Sequence, residues 1–143
     1  MIKALVWDDK RQMMFEPRAD YRPKGVKKRD FFIGFNGFGL EVSEYEGKGY
    51  WRKMPIRLFT WVHDDVEDNK IFNGAIVEFQ HEERTIICTV CFECGGFMLV
   101  SNEFEDGFIW FSDVVESDGK YNWIPGTKVI GDIYQNPELL GDK

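Results

Sequence analysis

The dipeptide Asn36-Gly37 constrains this chain more than any other feature. It sits between two apolar runs, Phe31-Phe32-Ile33-Gly34-Phe35 and Phe38-Gly39-Leu40-Glu41-Val42. Asn and Gly tolerate the positive φ that a two-residue type I′ turn demands, and such a turn matches the twist of the strands it joins. The segment therefore predicts an antiparallel hairpin. Counting outward places Phe35 opposite Phe38, Ile33 opposite Leu40 and Phe31 opposite Val42, on one face turned to the core. Gly34, Gly39, Phe32 and Glu41 take the other face.

The same rhythm continues along the chain. Ile2 to Trp7 alternates, Asp8-Asp9-Lys10-Arg11 reads as a turn, and Met13 to Phe15 resumes an extended run, giving a first hairpin. Residues 43–55 read as a polar, Gly-rich connection. Ile56 to Val62 is apolar on both parities apart from Arg57 and Thr60, as in a strand covered on two sides. Runs at 74–79, 85–92, 97–100, 108–111 and 127–134 follow, separated by Gly, Asn, Asp or charged clusters. This spacing predicts a mainly β, single domain over residues 1–143, built of antiparallel hairpins forming a meander, barrel or sandwich. Only the tail reads as helical: Asn136 suits an N-cap, Pro137 the first helical position and Glu138 the positive end, so a short C-terminal helical turn is expected.

Composition supports a packed β fold. Of 143 residues 43% are hydrophobic and 16% aromatic, with thirteen Phe and five Trp, a content that suits pleated, half-buried surfaces. No apolar run approaches the ~20 residues needed to cross a bilayer as a helix, so no membrane association and a cytoplasmic location are expected. Three cysteines within seven residues do not make the disulfide framework of a secreted domain.

Net charge is −7, which repels phosphate on average. Residues 16–30 run against that average, with Arg18, Arg22, Lys24, Lys27, Lys28 and Arg29 facing Glu16, Asp20 and Asp30. A solvated loop is the plainer reading of this stretch and a docking element the sharper one. If it docks, Arg22, Lys24, Lys27, Lys28 and Arg29 are the candidate contacts to a partner or to phosphate. Nucleic-acid binding through them is expected to be weak.

Other motifs reduce to structure. Cys88-x2-Cys91-x2-Cys94 resembles a metal knot, but a fourth ligand is missing and, on one strand, residues three apart point to opposite faces. No metal site and no cofactor is expected. Gly34-x-x-Gly37-x-Gly39 opens no helix and is explained by the hairpin. The acidic run Asp64 to Asp68 lacks the alternation of a calcium loop and reads as a solvated turn. No nucleophile stands in a catalytic context, so no enzymatic activity is expected.

Val129-Ile130-Gly131-Asp132-Ile133-Tyr134-Gln135-Asn136-Pro137-Glu138-Leu139-Leu140 resembles the IGNIYENPELL signature that closes YopX-family proteins of phages and prophages. The opening hairpin, with Val-Trp-Asp followed by Met-Phe, and Ile71 to Val77 resemble two further stretches of that family. Ala75 stands where the family usually has Asp, and residues 16 to about 60 depart from its short members. The resemblance implies a mainly β fold and a phage or prophage origin, and it brings no catalytic residues or cofactor. The expected function is a non-enzymatic protein-interaction or assembly module in the host cytoplasm, with itself, as a homo-oligomer, among its partners. The alternative is a nucleic-acid-associated phage accessory protein.

Overall fold

The computed structural model describes residues 4–37 and 39–141, and the chain divides into two compact units, Met1–Leu58 and Phe59–Lys143. In the first, β1 (Ala4–Asp8) and β2 (Met13–Phe15) form the expected hairpin, with Val6 opposite Phe15. β3 (Phe31–Asn36), β4 (Gly39–Gly47) and β5 (Tyr50–Lys53) form an antiparallel three-stranded sheet. β6 (Ile56–Asp64) begins in this unit, where Ile56 to Leu58 pair with β1. Val6, Phe15, Phe31, Val42 and Met54 form the core, with Tyr21, Val26, Ile33 and Ile56 packed against it.

The β3–β4 hairpin exists with the expected faces but a different register. Asn36 pairs with Gly39, Phe35 with Leu40, Ile33 with Val42 and Phe31 with Glu44; the expected partner of Phe35, Phe38, lies outside the described residues. The connection is therefore centred one residue later than Asn36-Gly37. Gly39, at φ +123°, adopts a backbone conformation open to glycine alone, which lets the chain turn there. The shift also carries Glu44 into the interior, 5% exposed, where two arginines meet it. The apolar face is graded along its length: Phe31 and Val42 are buried, whereas Phe35 near the tip is 71% exposed.

β5 was not legible as a strand. Residues 43–55 are not a loose connection, because β4 continues to Gly47 and turns through Lys48-Gly49, both at positive φ. What holds β5 is charge and ring contact: Glu44 stands opposite Arg52 and Tyr45 opposite Trp51, pairs that an apolar-periodicity reading does not score.

The second unit is built on a five-stranded antiparallel sheet in the order β11 (Phe108–Trp110), β10 (Gly96–Val100), β9 (Arg84–Glu93), β8 (Ala75–His81), β14 (Thr127–Asp132). Phe59 to Asp64 of β6 pair with β7 (Lys70–Phe72) and, in parallel, with β13 (Asn122–Ile124), which carries β12 (Glu116–Ser117). Ile71, Val77, Ile86, Cys88, Leu99 and Ile124, all 0% exposed, centre the core. No sheet closes into a barrel among the described residues, and among them no helix is long and apolar enough to cross a membrane.

Two local expectations need correction. Phe111 ends the expected 108–111 strand and opens a one-turn helix, α1 (Phe111–Val114). In the tail, Pro137–Leu140 does form a helical turn, of 3-10 type, but Asn136 makes no side-chain cap. Its Oδ1 instead accepts the Asp132 N–H at 3.2 Å.

Candidate functional site

The 16–30 segment is folded onto the first unit by its few apolar residues. Tyr21 stacks on Phe15 with ring centroids 4.2 Å apart and meets Phe31 edge-on at 6.1 Å. Burial, with a smaller contribution from the Asp8 charge, pushes the Tyr21 phenol above its ordinary pKa. Pro23 is buried, and Val26 packs on the core. Turns closed by Tyr21 N–H to Arg18 O (2.9 Å), Val26 N–H to Pro23 O (3.1 Å) and Asp30 N–H to Lys27 O (2.9 Å) give the segment its path. Anchored this way, the loop turns its cations outward.

Arg18, Arg22, Lys24, Lys27, Lys28 and Arg29 are all exposed, and none makes an ion pair with Glu16, Asp20 or Asp30 among the described residues. Of the five candidate contacts, Arg22 and Lys28 line an open cleft of about 550 Å³ together with Asp20, Tyr21, Phe31 and Phe32. Lys24, Lys27 and Arg29 are not part of its wall. Phe32 also lines a second cleft of about 240 Å³ with Glu41, Ser43 and Trp51. Phe32 and Trp51 are 41% and 40% exposed, and Phe32 is common to the two clefts. Trp51 rests against Tyr45 at 5.3 Å, and Lys53 Nζ lies 3.9 Å from Glu41 Oε1. Gly34 lies beneath Phe32: a Cβ there would stand 2.7 Å from the ring's Cζ. The backbone hydrogen of Gly34 is what lets the ring lie flat along the strand.

The aromatic half of this surface escaped the sequence reading. Strand parity assigns Phe32 to the face turned away from the core, and an exposed Phe at a hairpin base was the available signal. Trp51 had none, because its strand was not recognised.

A charge cluster underlies the opposite side of the same sheet. Arg11 grips Glu44 through both nitrogens at 2.8 Å and Asp8 Oδ2 at 2.9 Å. Arg52 bonds Glu44 at 2.9 Å, Glu46 at 2.7 Å and also Asp9. Asp8, 0% exposed, accepts the Lys10 and Arg11 backbone N–H groups at 3.1 Å. The Arg11 bond holds the Glu44 carboxyl below its ordinary pKa, against a burial effect of opposite sign. Every charge here is answered by another, so the cluster builds the fold.

The remaining motifs are structural. Cys88 is buried in the core, Cys91 half-buried on the other face of β9, and Cys94 exposed in the turn beyond it. Burial, helped by the Glu103 charge, pushes the Cys88 thiol up to about 12. Among the described residues no group of three His, Cys, Asp or Glu is placed to hold a metal ion. The acidic run is a turn, but Asp64 is not solvated: 1% exposed, it accepts Glu67 and Asn69 N–H at 2.9 and 3.2 Å on one oxygen and Val129 N–H at 2.9 Å on the other. Asp65 accepts Gly126 N–H at 2.8 Å. The carboxylates clasp β14.

The C-terminal motif also bonds its own backbone. Asp132, 6% exposed, accepts Tyr134 and Gln135 N–H at 2.9 and 2.8 Å, while a Cβ on Gly131 would lie 2.6 Å from Asn136 Oδ1. Gly, Asp and Asn at these positions are what the turn requires. A model of the YopX family, described as YopX protein, matches residues 6–141. The chain belongs to the YopX family. The crystal structure of protein yopX from Bacillus subtilis is similar to it, with 19% identity, a TM-score of 0.52 and 96% of each chain covered, which extends the family likeness to the fold. No curated protein matches the sequence. Within this YopX chain the family motif closes a sheet of the second unit.

Proposed function

We propose that this YopX-family chain is a phage or prophage protein acting in the host cytoplasm as a non-enzymatic interaction module, and that its working surface is the basic-aromatic face of the first unit. One observation carries the reading: Arg22 and Lys28 stand unpaired at a cleft whose wall includes the exposed Phe32, whereas Arg11 and Arg52 are each held by carboxylates. Unanswered cations next to exposed rings suit an anionic partner. Retention on immobilised heparin tests this. A protein of net charge −7 is expected to be retained only if its positive charge is gathered on one face, and the Arg22→Ala/Lys28→Ala variant is expected to elute earlier. Flow-through of the unmodified protein refutes the reading.

Self-association is the second part of the proposal, and the second unit supports it. Trp61, 52% exposed, is held at φ +65° where β6 slips register between Phe59 and Val62, and Tyr121 is exposed too. An aromatic kept outward at a strained backbone position suits an interface. Light scattering of the unmodified protein and of Trp61→Ala checks it; a monomer at all concentrations rejects self-association.

A further inference from the structure

We infer that the solvent face of the β3–β4–β5 sheet binds single-stranded nucleic acid, with bases stacking on Phe32 and Trp51 and phosphates meeting Arg22 and Lys28. The inference rests on the proposed function, and it names the ligand class of that same face. Three features of the surface lead to it.

The rings come first. Phe32 and Trp51 both line the smaller cleft, each is about two-fifths exposed, and both belong to one sheet. Unpaired bases present a π-face that an exposed ring on a sheet can stack against regardless of sequence, whereas a duplex hides those faces. An acidic peptide would engage the cations and leave both rings in water.

The charges are placed to serve the same ligand. Phe32 belongs to both clefts, lining the larger one with the cations Arg22 and Lys28 and the smaller one with Trp51. The unit carries thirteen Lys and Arg against eight Asp and Glu, a net +5, while residues 59–143 carry five against seventeen. Asp20 lines the larger cleft and Glu41 the smaller, with Lys53 beside Glu41. These two carboxylates reduce the attraction without reversing its sign.

The third feature is the fixed position of the ring. The tip of the Phe32 ring occupies the space that a Cβ on Gly34 would fill, so the absent side chain gives the ring its place before a ligand arrives. A stacking surface ordered in advance avoids the entropy of being ordered by its ligand.

Fluorescence anisotropy with a labelled oligothymidylate of about twelve nucleotides, within the site sizes usual for single-strand binders, tests the inference on the full chain. Phe32→Ala and Trp51→Ala are each expected to weaken binding about tenfold, towards the lower end of what loss of one stacked base costs. Gly34→Ala, which removes no charge and no ring but displaces the Phe32 ring, is expected to weaken it severalfold. With two phosphates engaged, affinity should fall only about sevenfold between ~50 and ~200 mM salt, and a duplex of the same length should bind less tightly. Circular dichroism confirms that each variant is folded. Oligothymidylate binding that is indifferent to Phe32, Trp51 and Gly34, or heparin retention without oligothymidylate binding, overturns this inference and leaves the anionic-partner reading standing. Loss of both heparin and oligothymidylate binding removes the two together.

Discussion

The two units solve the problem of holding a β fold together in different currencies. Residues 59–143 are strongly acidic, and their sheet is stabilised by a continuous apolar layer around Ile71, Val77, Ile86, Leu99 and Ile124. Residues 1–58 are basic, and their apolar core is a smaller cluster supplemented by the Arg11–Asp8–Glu44–Arg52 network. Apolar burial is indifferent to salt and pH, whereas a partly exposed ion network responds to both. The unit carrying the candidate site should therefore be the one whose order solution conditions can tune.

The largest test of that contrast is apolar. Leu99→Ala removes a side chain with no exposure and is expected to cost about 3–4 kcal/mol, read as a lower urea midpoint with faster amide exchange in residues 59–141. Exchange changes confined to residues 4–58 would contradict it. Next in size, Arg11→Ala strands Asp8 and Glu44, both nearly buried, and is expected to cost about 2 kcal/mol, since Arg11 itself is part-exposed and its pairs are partly screened. The loss should appear as faster exchange in β1, β2 and β4, with little change beyond residue 59.

Acid sharpens the comparison further. The Glu44 carboxyl, held down first by Arg11, and that of Glu46, held down first by Arg52, titrate below their ordinary value in the folded chain. The unfolded chain then binds more protons than the folded one, so their stabilisation is present above the ordinary glutamate pKa of about 4.3 and disappears as pH falls through the lower, folded value. Exchange measured down that range should show residues 4–58 loosening before residues 59–141, and the Glu44→Gln variant should lose most of the difference. The smallest effect concerns the β8–β9 turn, where Glu82 and Glu83 both sit at positive φ, +48° and +66°. Replacing them with Asn-Gly should raise stability by about 0.5–1 kcal/mol, seen as a higher midpoint; no change would mean that the turn carries little strain.

The same contrast explains what could be read from the sequence. Where apolar periodicity does the work, strands were legible: β1, β3, β8, β9 and β10 fall where alternation and turn residues put them, and strand parity alone set Cys88 and Cys91 on opposite faces. Where charge does the work, the pattern misleads. Residues 43–55 read as polar and Gly-rich, which hides β5, and the hairpin register counted outward from Asn36-Gly37 is off because the turn lies one residue later. Asp64 reads as a surface acid; the N–H groups that bury it come from Glu67, Asn69 and Val129, and Val129 is sixty-five residues away in sequence. The site divided likewise: its cations stand out in composition, while the ring at Trp51 becomes visible only once β5 exists.

The closing motif illustrates a further point about kinship. Asp132 and Asn136 bond the adjacent backbone, and Gly131 leaves room for the Asn136 side chain, so the letters by which a relative is recognised include punctuation at the end of a sheet. Two proteins can share that punctuation and say different things with the rest of the sentence. In this chain the surface that offers rings and unanswered charge lies in residues 16–58, well away in sequence from that closing motif.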